Sequence, residues 1–260
     1  MSRPDPVALD SQERFSNRVA DYVRYRPGYP PQLIEWIHGP LGVAPDARVA
    51  DIGAGTGISS RIFLQAGHPV IAVEPNAPMR LAAERWLADA PGFQAVAGNA
   101  ESTTLDTASV DLVVAAQAFH WFDTEAVRGE WKRILRPGGR VVVFWNSRLL
   151  EATAFLADYE ALLHQFGTDY QAVAERYQDD ATMRAWFGEG FIAQENFPNV
   201  QRMDFDSLRG RLLSSSYAPA EGHPRHAPML AALRALFDRH AVDGHVEFAY
   251  LTRAFAGTLS

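Results

Sequence analysis

Between residues 48 and 146 of this 260-residue chain, short apolar runs alternate with segments of helical spacing, and few folds satisfy that rhythm. Residues 48–52 (RVADI), 69–74 (PVIAVE), 93–97, 110–115 (VDLVVA) and 140–145 (RVVVFW) are predicted strands, each bounded by turn residues and too short for a buried helix. Residues 58–65, 77–90 and 124–135 are predicted helices. The last is closed by Arg136, Pro137, Gly138 and Gly139, where proline ends helical hydrogen bonding and glycine permits the reversal. Strands that are apolar on both faces need cover on both faces. The alternation therefore predicts an α/β fold, a doubly wound, mostly parallel sheet with helices on each side.

The pattern changes outside this stretch. Residues 15–30 (FSNRVADYVRYRPGYP) mix aromatics with arginine; a helix is expected to about Tyr25, a turn through Pro27, Gly28 and Pro30, and helical spacing again over 32–38. After Asn146, helices are expected over 152–166, 179–187, 207–214 and 228–240, with extended chain over 191–205 around Pro198 and a closing strand over 245–255. The chain thus divides into an N-terminal cap (1–40), a core (41–147), and a region (148–260) whose helical insertions form a lid and whose late strands complete the sheet.

Composition removes several kinds of chemistry. There is no cysteine, so thiolate zinc sites, disulfide frameworks and thiol nucleophiles are excluded. The 24 basic residues against 31 acidic ones give a charge of −7, which argues against a protein built to grip nucleic acid. The eight histidines show no metal-ligand spacing. No leader pattern opens the chain and no apolar run approaches the ~18 residues that a membrane helix needs, so a cytoplasmic protein with no membrane partner is expected, monomeric or homodimeric.

The most informative segment is VADIGAGTG, residues 49–57, where a strand enters a glycine-dense turn and then a helix. Glycines let a ligand approach the backbone. The dinucleotide spacing would need glycine at position 58, where Ile58 stands, and no phosphate-binding Gly-Lys-Ser/Thr follows. Asp51, beside the turn, would repel a pyrophosphate and suits a ligand carrying ammonium or sulfonium charge. Glu74 ends the second strand, where an acid can accept both hydroxyl protons of a ribose.

With these residues in hand, the chain resembles the class I S-adenosylmethionine (SAM)-dependent methyltransferases, in particular the small-molecule branch with a ubiquinone/menaquinone-biosynthesis-like domain. VADIGAGTG is similar to the family's first motif, AVEPN (72–76) to its second, GNAES (98–102) to its adenine motif, and DLVVAAQAFHWFD (111–123) and ILRPGGRVVVFWN (134–146) to those of the fourth and fifth strands. The segment YVRYRPGYP (22–30) resembles the branch's N-terminal cap. The resemblance implies a seven-stranded Rossmann-like sheet with its last strand antiparallel. It implies transfer of a methyl group from SAM, leaving S-adenosylhomocysteine, to an O, N or C atom of a small organic molecule by in-line displacement.

The resemblance also implies residue roles, each with a plainer alternative. Gly53, Ala54 and Gly55 would line the methionine end of SAM, with Asp51 reaching its ammonium, or else capping the following helix. Glu74 and Pro75 would hold the ribose. Asn99, Ala100 and Glu101 would meet the adenine, although Asn99 also suits an ordinary turn. Gln117 would pass under the sulfonium. Tyr25 and Arg26 would close over the cofactor, or Arg26 would lie at the surface. His120 is the candidate general base, or a histidine holding a loop. Tyr22, Trp121, Trp145, Arg148, Tyr217 and His223 are the candidates to meet an acceptor. Two other readings stay open: a catalytically silent SAM- or nucleoside-binding module, and a nicotinamide-dependent oxidoreductase.

Overall fold

The computed structural model describes residues 25–168, 170 and 179–259. Its strands are β1 (Val49–Ile52), β2 (Val70–Val73), β3 (Phe93–Val96), β4 (Val110–Ala116), β5 (Leu135–Arg148), β6 (Phe191–Met203) and β7 (Val246–Gly257). The described α-helices are α1 (Gln32–His38), α2 (Ile58–Gln65), α3 (Ala77–Trp86), α4 (Thr124–Ile134), α5 (Ala154–Phe166), α6 (Asp180–Phe187), α7 (Phe205–Leu213) and α8 (His226–His240).

The strands form one sheet in the order β3-β2-β1-β4-β5-β7-β6. Strands β1 to β5 pair in parallel. The order reverses between β1 and β4, and open α/β sheets bind ligands beyond the carboxyl ends of the strands that flank such a point. β7 runs against β5: the Leu149 N–H donates to the Ala249 carbonyl at 3.0 Å, and further along the Thr252 hydroxyl donates to Asn146 Oδ1 at 2.5 Å. Pro198 cannot donate to a sheet ladder. It is accommodated because β6 is an edge strand.

Two compact units divide the chain. One comprises Gly28–Asn146, Gln178–Phe197 and Thr252–Ser260, the other Met1–Pro27, Ser147–Tyr177 and Pro198–Leu251. In the sheet unit the strand pleat sorts residues by parity. Val49, Leu112, Val114, Val142 and Phe144 join Leu33, Trp36 and Ile37 of α1 in one core. Ala50, Ile52, Val113, Ala115, Val143 and Trp145 join Trp131 of α4 and Phe187 of α6 in another. The helical unit has its own core, where Phe155, Tyr159 and Leu163 of α5 cluster with Leu233 and Phe237 of α8 and Phe248. Each large aliphatic or aromatic side chain buried in these cores contributes roughly 1.5–3 kcal/mol.

Helix α1 packs Leu33, Trp36 and Ile37 into the sheet unit's core. Two element limits differ from expectation. Helix α3 stops at Trp86, short of residue 90. The β5 ladder begins at Leu135, paired with Val110, and resumes at Arg140 with Leu112, so the expected turn survives as a bulge of Arg136 to Gly139 inside the strand.

Candidate functional site

The glycine turn lies at the carboxyl end of β1. The Gly53 and Ala54 N–H groups donate to the Val73 carbonyl at 2.9 and 3.3 Å, which ties the turn to the end of β2. Gly53 has φ +69°, and a Cβ there would stand 2.8 Å from the Ala118 Cβ and 3.1 Å from the Phe122 ring. Gly57 has φ +87°, and its Cβ would stand 2.7 Å from Leu87. Only glycine fits either place. Gly55 differs, because beside it a Cβ would meet only Met79 Sδ at 3.9 Å.

Beneath the turn, Asp51 is fully buried. Its Oδ2 accepts the Ser59 and Ser60 hydroxyls of α2 at 2.6 and 2.7 Å, while its Oδ1 has no hydrogen bond. Thr56 Oγ1, within the turn, is likewise buried and unpartnered. Burial pushes the Asp51 carboxyl up from 3.8 to about 6, and the serine hydrogen bonds draw it only partly back. A pKa raised by folding gives a contribution that is fully present below the unfolded value and lost as pH rises through about 6. At neutral pH the ionised group therefore costs on the order of 3 kcal/mol. Asp51→Asn is expected to melt higher than wild type at pH 7.5, with the difference narrowing to about half as pH falls to 5. A constant difference across that range in thermal melts would refute this account of the buried charge.

Glu74 stands beside the turn. Its Oε2 accepts the Gly55 N–H and its Oε1 the Asn76 N–H, both at 2.8 Å. Burial raises its pKa, and these two hydrogen bonds oppose the rise. Pro75 follows it at the surface. After β3, the Asn99 side-chain oxygen accepts the Ser102 N–H at 2.7 Å, so this residue builds the turn in the way an ordinary turn asparagine does. Helix α4 braces that turn from behind: Trp131 Nε1 donates to the Ala100 carbonyl at 3.1 Å, and Glu130 accepts the Thr103 N–H at 2.8 Å. Glu101 accepts the Asp123 N–H at 3.2 Å.

At the end of β4 the backbone of Gln117 adopts φ +56°, a left-handed conformation that a residue with a side chain rarely takes. Its N–H donates to the Phe144 carbonyl at 3.0 Å and its side-chain amide to the Asn146 carbonyl at 3.2 Å. Asn146 in turn donates to the Gly28 carbonyl at 3.1 Å and accepts from Thr252. His120 follows in a 3₁₀ turn (Phe119–Trp121), half-buried, its ring 4.8 Å from that of Trp121, which is 40% exposed. The sheet unit thus brings together Asp51, the glycine turn, Glu74 and Gln117 around the ends of β1, β2 and β4. Asn146, Thr56 and the serine pair escaped the sequence reading. The consecutive serines after Ile58, in the first turn of α2, were the available signal.

Strand parity turns Trp145 into the sheet's core, 3% exposed and stacked on Phe255 at 5.1 Å. The remaining candidates belong to the helical unit. The Tyr25 ring lies against Gly210 of α7, and Arg26 Nη2 donates to the Ser214 carbonyl at 3.1 Å, which makes Arg26 half-buried and not a surface residue. Arg148 is paired with Glu160 and donates to the Tyr170 hydroxyl. Tyr217 packs edge-on against Tyr170 at 4.9 Å. His223 sits in an exposed loop and accepts the Arg225 N–H at 3.1 Å. Tyr22 lies outside the described residues. Among the described residues no group of acids and histidines could hold a metal ion, and no helix is long and apolar enough to cross a membrane.

The strand order, the glycine turn and the acid after β2 fit a methyltransferase fold, and comparison with known proteins agrees. The methyltransferase-domain family profile matches residues 50–143. An uncharacterized methyltransferase of Mycobacterium tuberculosis is 42% identical over 139 residues, covering 54% of each chain, so this chain is matched over about half the length of such curated relatives. A malonyl-[acyl-carrier protein] O-methyltransferase of Methylococcus capsulatus is 37% identical over 204 residues, 76% of this chain and 70% of that one. The solved structure of a protein described as a type II methyltransferase from Anaeromyxobacter dehalogenans superposes with a TM-score of 0.67 at 25% identity, covering 90% of this chain and 98% of that one. The chain belongs to the class I SAM-dependent methyltransferases.

Proposed function

We propose that the protein transfers a methyl group from SAM to an O, N or C atom of a small organic acceptor. The observation that carries this reading is the Glu74 carboxylate, held by the Gly55 and Asn76 N–H groups beside a turn that a single Cβ would fill. A carboxylate offers about four lone-pair sites, so after accepting two N–H groups Glu74 retains capacity for two ribose hydroxyls. The orphaned Oδ1 of Asp51 and the open side of Gly55 suit a cationic amino-acid end. Bound SAM would supply an electrophilic methyl group on a sulfonium.

The chain's own contribution is position and charge. Gly53, Ala54 and Gly55 would present backbone to the cofactor, with Asp51 supplying negative charge from below. Pro75 would border the ribose, and Asn99, Ala100 and Glu101 the adenine. The left-handed Gln117 turns its backbone at the strand end nearest the reversal of strand order, and alignment of this kind can account for most of the acceleration in a displacement at carbon. His120 would take the proton of an acceptor that must lose one, and Trp121 offers it an apolar wall.

Calorimetry of the full chain with SAM, S-adenosylhomocysteine and NAD tests the cofactor, and transfer of a labelled methyl group to metabolite extracts tests the reaction. SAM and its product are expected to bind and NAD not to bind. Binding of NAD alone would overturn the proposal, and SAM binding without transfer to any metabolite would leave a silent binding module.

A further inference from the structure

The helical unit buries charged and phenolic groups that the methyl-transfer machinery leaves unused. Arg211 of α7 is only 7% exposed. Its Nε donates to the Tyr250 hydroxyl at 3.2 Å and its Nη1 to the Ser215 hydroxyl at 2.9 Å. Its Nη2 makes no hydrogen bond to a described residue, and no described carboxylate pairs with it. Arg148, by contrast, is neutralised by Glu160, which also accepts the Tyr170 hydroxyl at 2.6 Å. The Arg148 guanidinium lies over the ring of Tyr159, 5.4 Å from its centroid.

Tyr159 is 1% exposed, and its hydroxyl has no hydrogen-bond partner. It shares a wall with Arg211: the Phe248 ring lies 5.0 Å from the Tyr159 ring and 5.8 Å from the Arg211 guanidinium. Burial raises the Tyr159 phenol, which keeps it a donor. At Tyr217 burial also pushes upward, yet the Arg211, Arg148 and Arg26 guanidinium groups outweigh it and hold that phenol below its ordinary value. Three positive groups therefore bear on one phenol. A buried charge without a counter-ion and a buried hydroxyl without a partner are each destabilising, and a protein core rarely keeps both without use for them.

We propose that the helical unit holds an anion subsite, in which the Arg211 guanidinium and the Tyr159 hydroxyl take the carboxylate or phosphate oxygens of a small organic acid. The guanidinium fork matches two oxygens of such a group, and the phenol adds a neutral donor. One negative charge would balance Arg211. Naming this acid as the methyl acceptor rests on the methyltransferase reading; the subsite itself does not.

The test is calorimetry and thermal shift on the full chain without SAM, at constant ionic strength, with malonate, benzoate, inorganic phosphate and the neutral malonamide. At least one anion is expected to bind and raise the melting temperature, and malonamide is expected to do neither. Preference for malonate or benzoate identifies a carboxylate, and preference for phosphate a phosphate ester. Tyr159→Phe removes only an unpartnered hydroxyl, so the free protein should melt no lower, while anion affinity falls about tenfold. Arg211→Lys keeps the charge and loses the fork, and should weaken binding at least as much. Failure of all three anions to bind, or wild-type affinity in both variants, overturns the proposal. SAM titrated separately keeps the two readings apart: anion binding without SAM binding would sink the methyltransferase proposal and leave the subsite standing.

Discussion

Gly53→Val is expected to lower SAM affinity by about 100-fold or more, the ratio that corresponds to roughly 2.7 kcal/mol, and to lower the melting temperature as well. A branched side chain at φ +69° meets a left-handed backbone penalty of about 1–2 kcal/mol. Its Cβ would also stand 2.8 Å from Ala118 and 3.1 Å from Phe122, overpacking that typically costs about 1–3 kcal/mol more. Ala118 follows the strained Gln117, so relief by movement of that segment would disturb the end of β4 too. Calorimetry and thermal melting on the same preparation separate the two effects. Wild-type SAM affinity in Gly53→Val would mean that the cofactor does not rest on this turn.

Glu74→Ala is expected to weaken SAM by about 10- to 100-fold, the range for losing hydrogen bonds to a charged group. Two losses combine. The Gly55 and Asn76 N–H groups lose their acceptor, which loosens the turn, and the ribose loses its own. Competition by adenosine and 2′,3′-dideoxyadenosine distinguishes them. Adenosine should outcompete the dideoxy compound on the wild type and lose that advantage on Glu74→Ala. An advantage that persists would show that Glu74 supports the turn without touching the ribose.

Much of the sheet unit could be read from residues alone because its signals are local. Helices α1 and α2 have the expected limits, and the apolar runs that predicted β1 to β5 form the parallel part of the sheet, because strands buried on both faces leave no polar ambiguity. The features that residues alone do not reveal depend on tertiary structure. Strand parity places Trp145 in the core, but a sequence without a register cannot say which parity faces a ligand. Gln117 carries no residue-type mark of its left-handed backbone. The sequence places Asp51 beside the turn, while its serine partners and its orphaned oxygen depend on how α2 packs. Nothing in the helical pattern FDSLRGRLL marks Arg211 as buried, since an arginine there ordinarily points to solvent.

The position of β7 bears on how the polypeptide reaches its native state. β7 inserts between β5 and β6, so until it is made β6 has no sheet neighbour and β5 has only β4. Asn146 likewise waits for Thr252, 106 residues later. Closing such distant contacts carries the entropy of a long loop, which slows folding and leaves unpaired strand edges available for association with other nascent chains. Thr252 therefore completes the hydrogen-bonded support of Gln117 long after every motif around the glycine turn has been made.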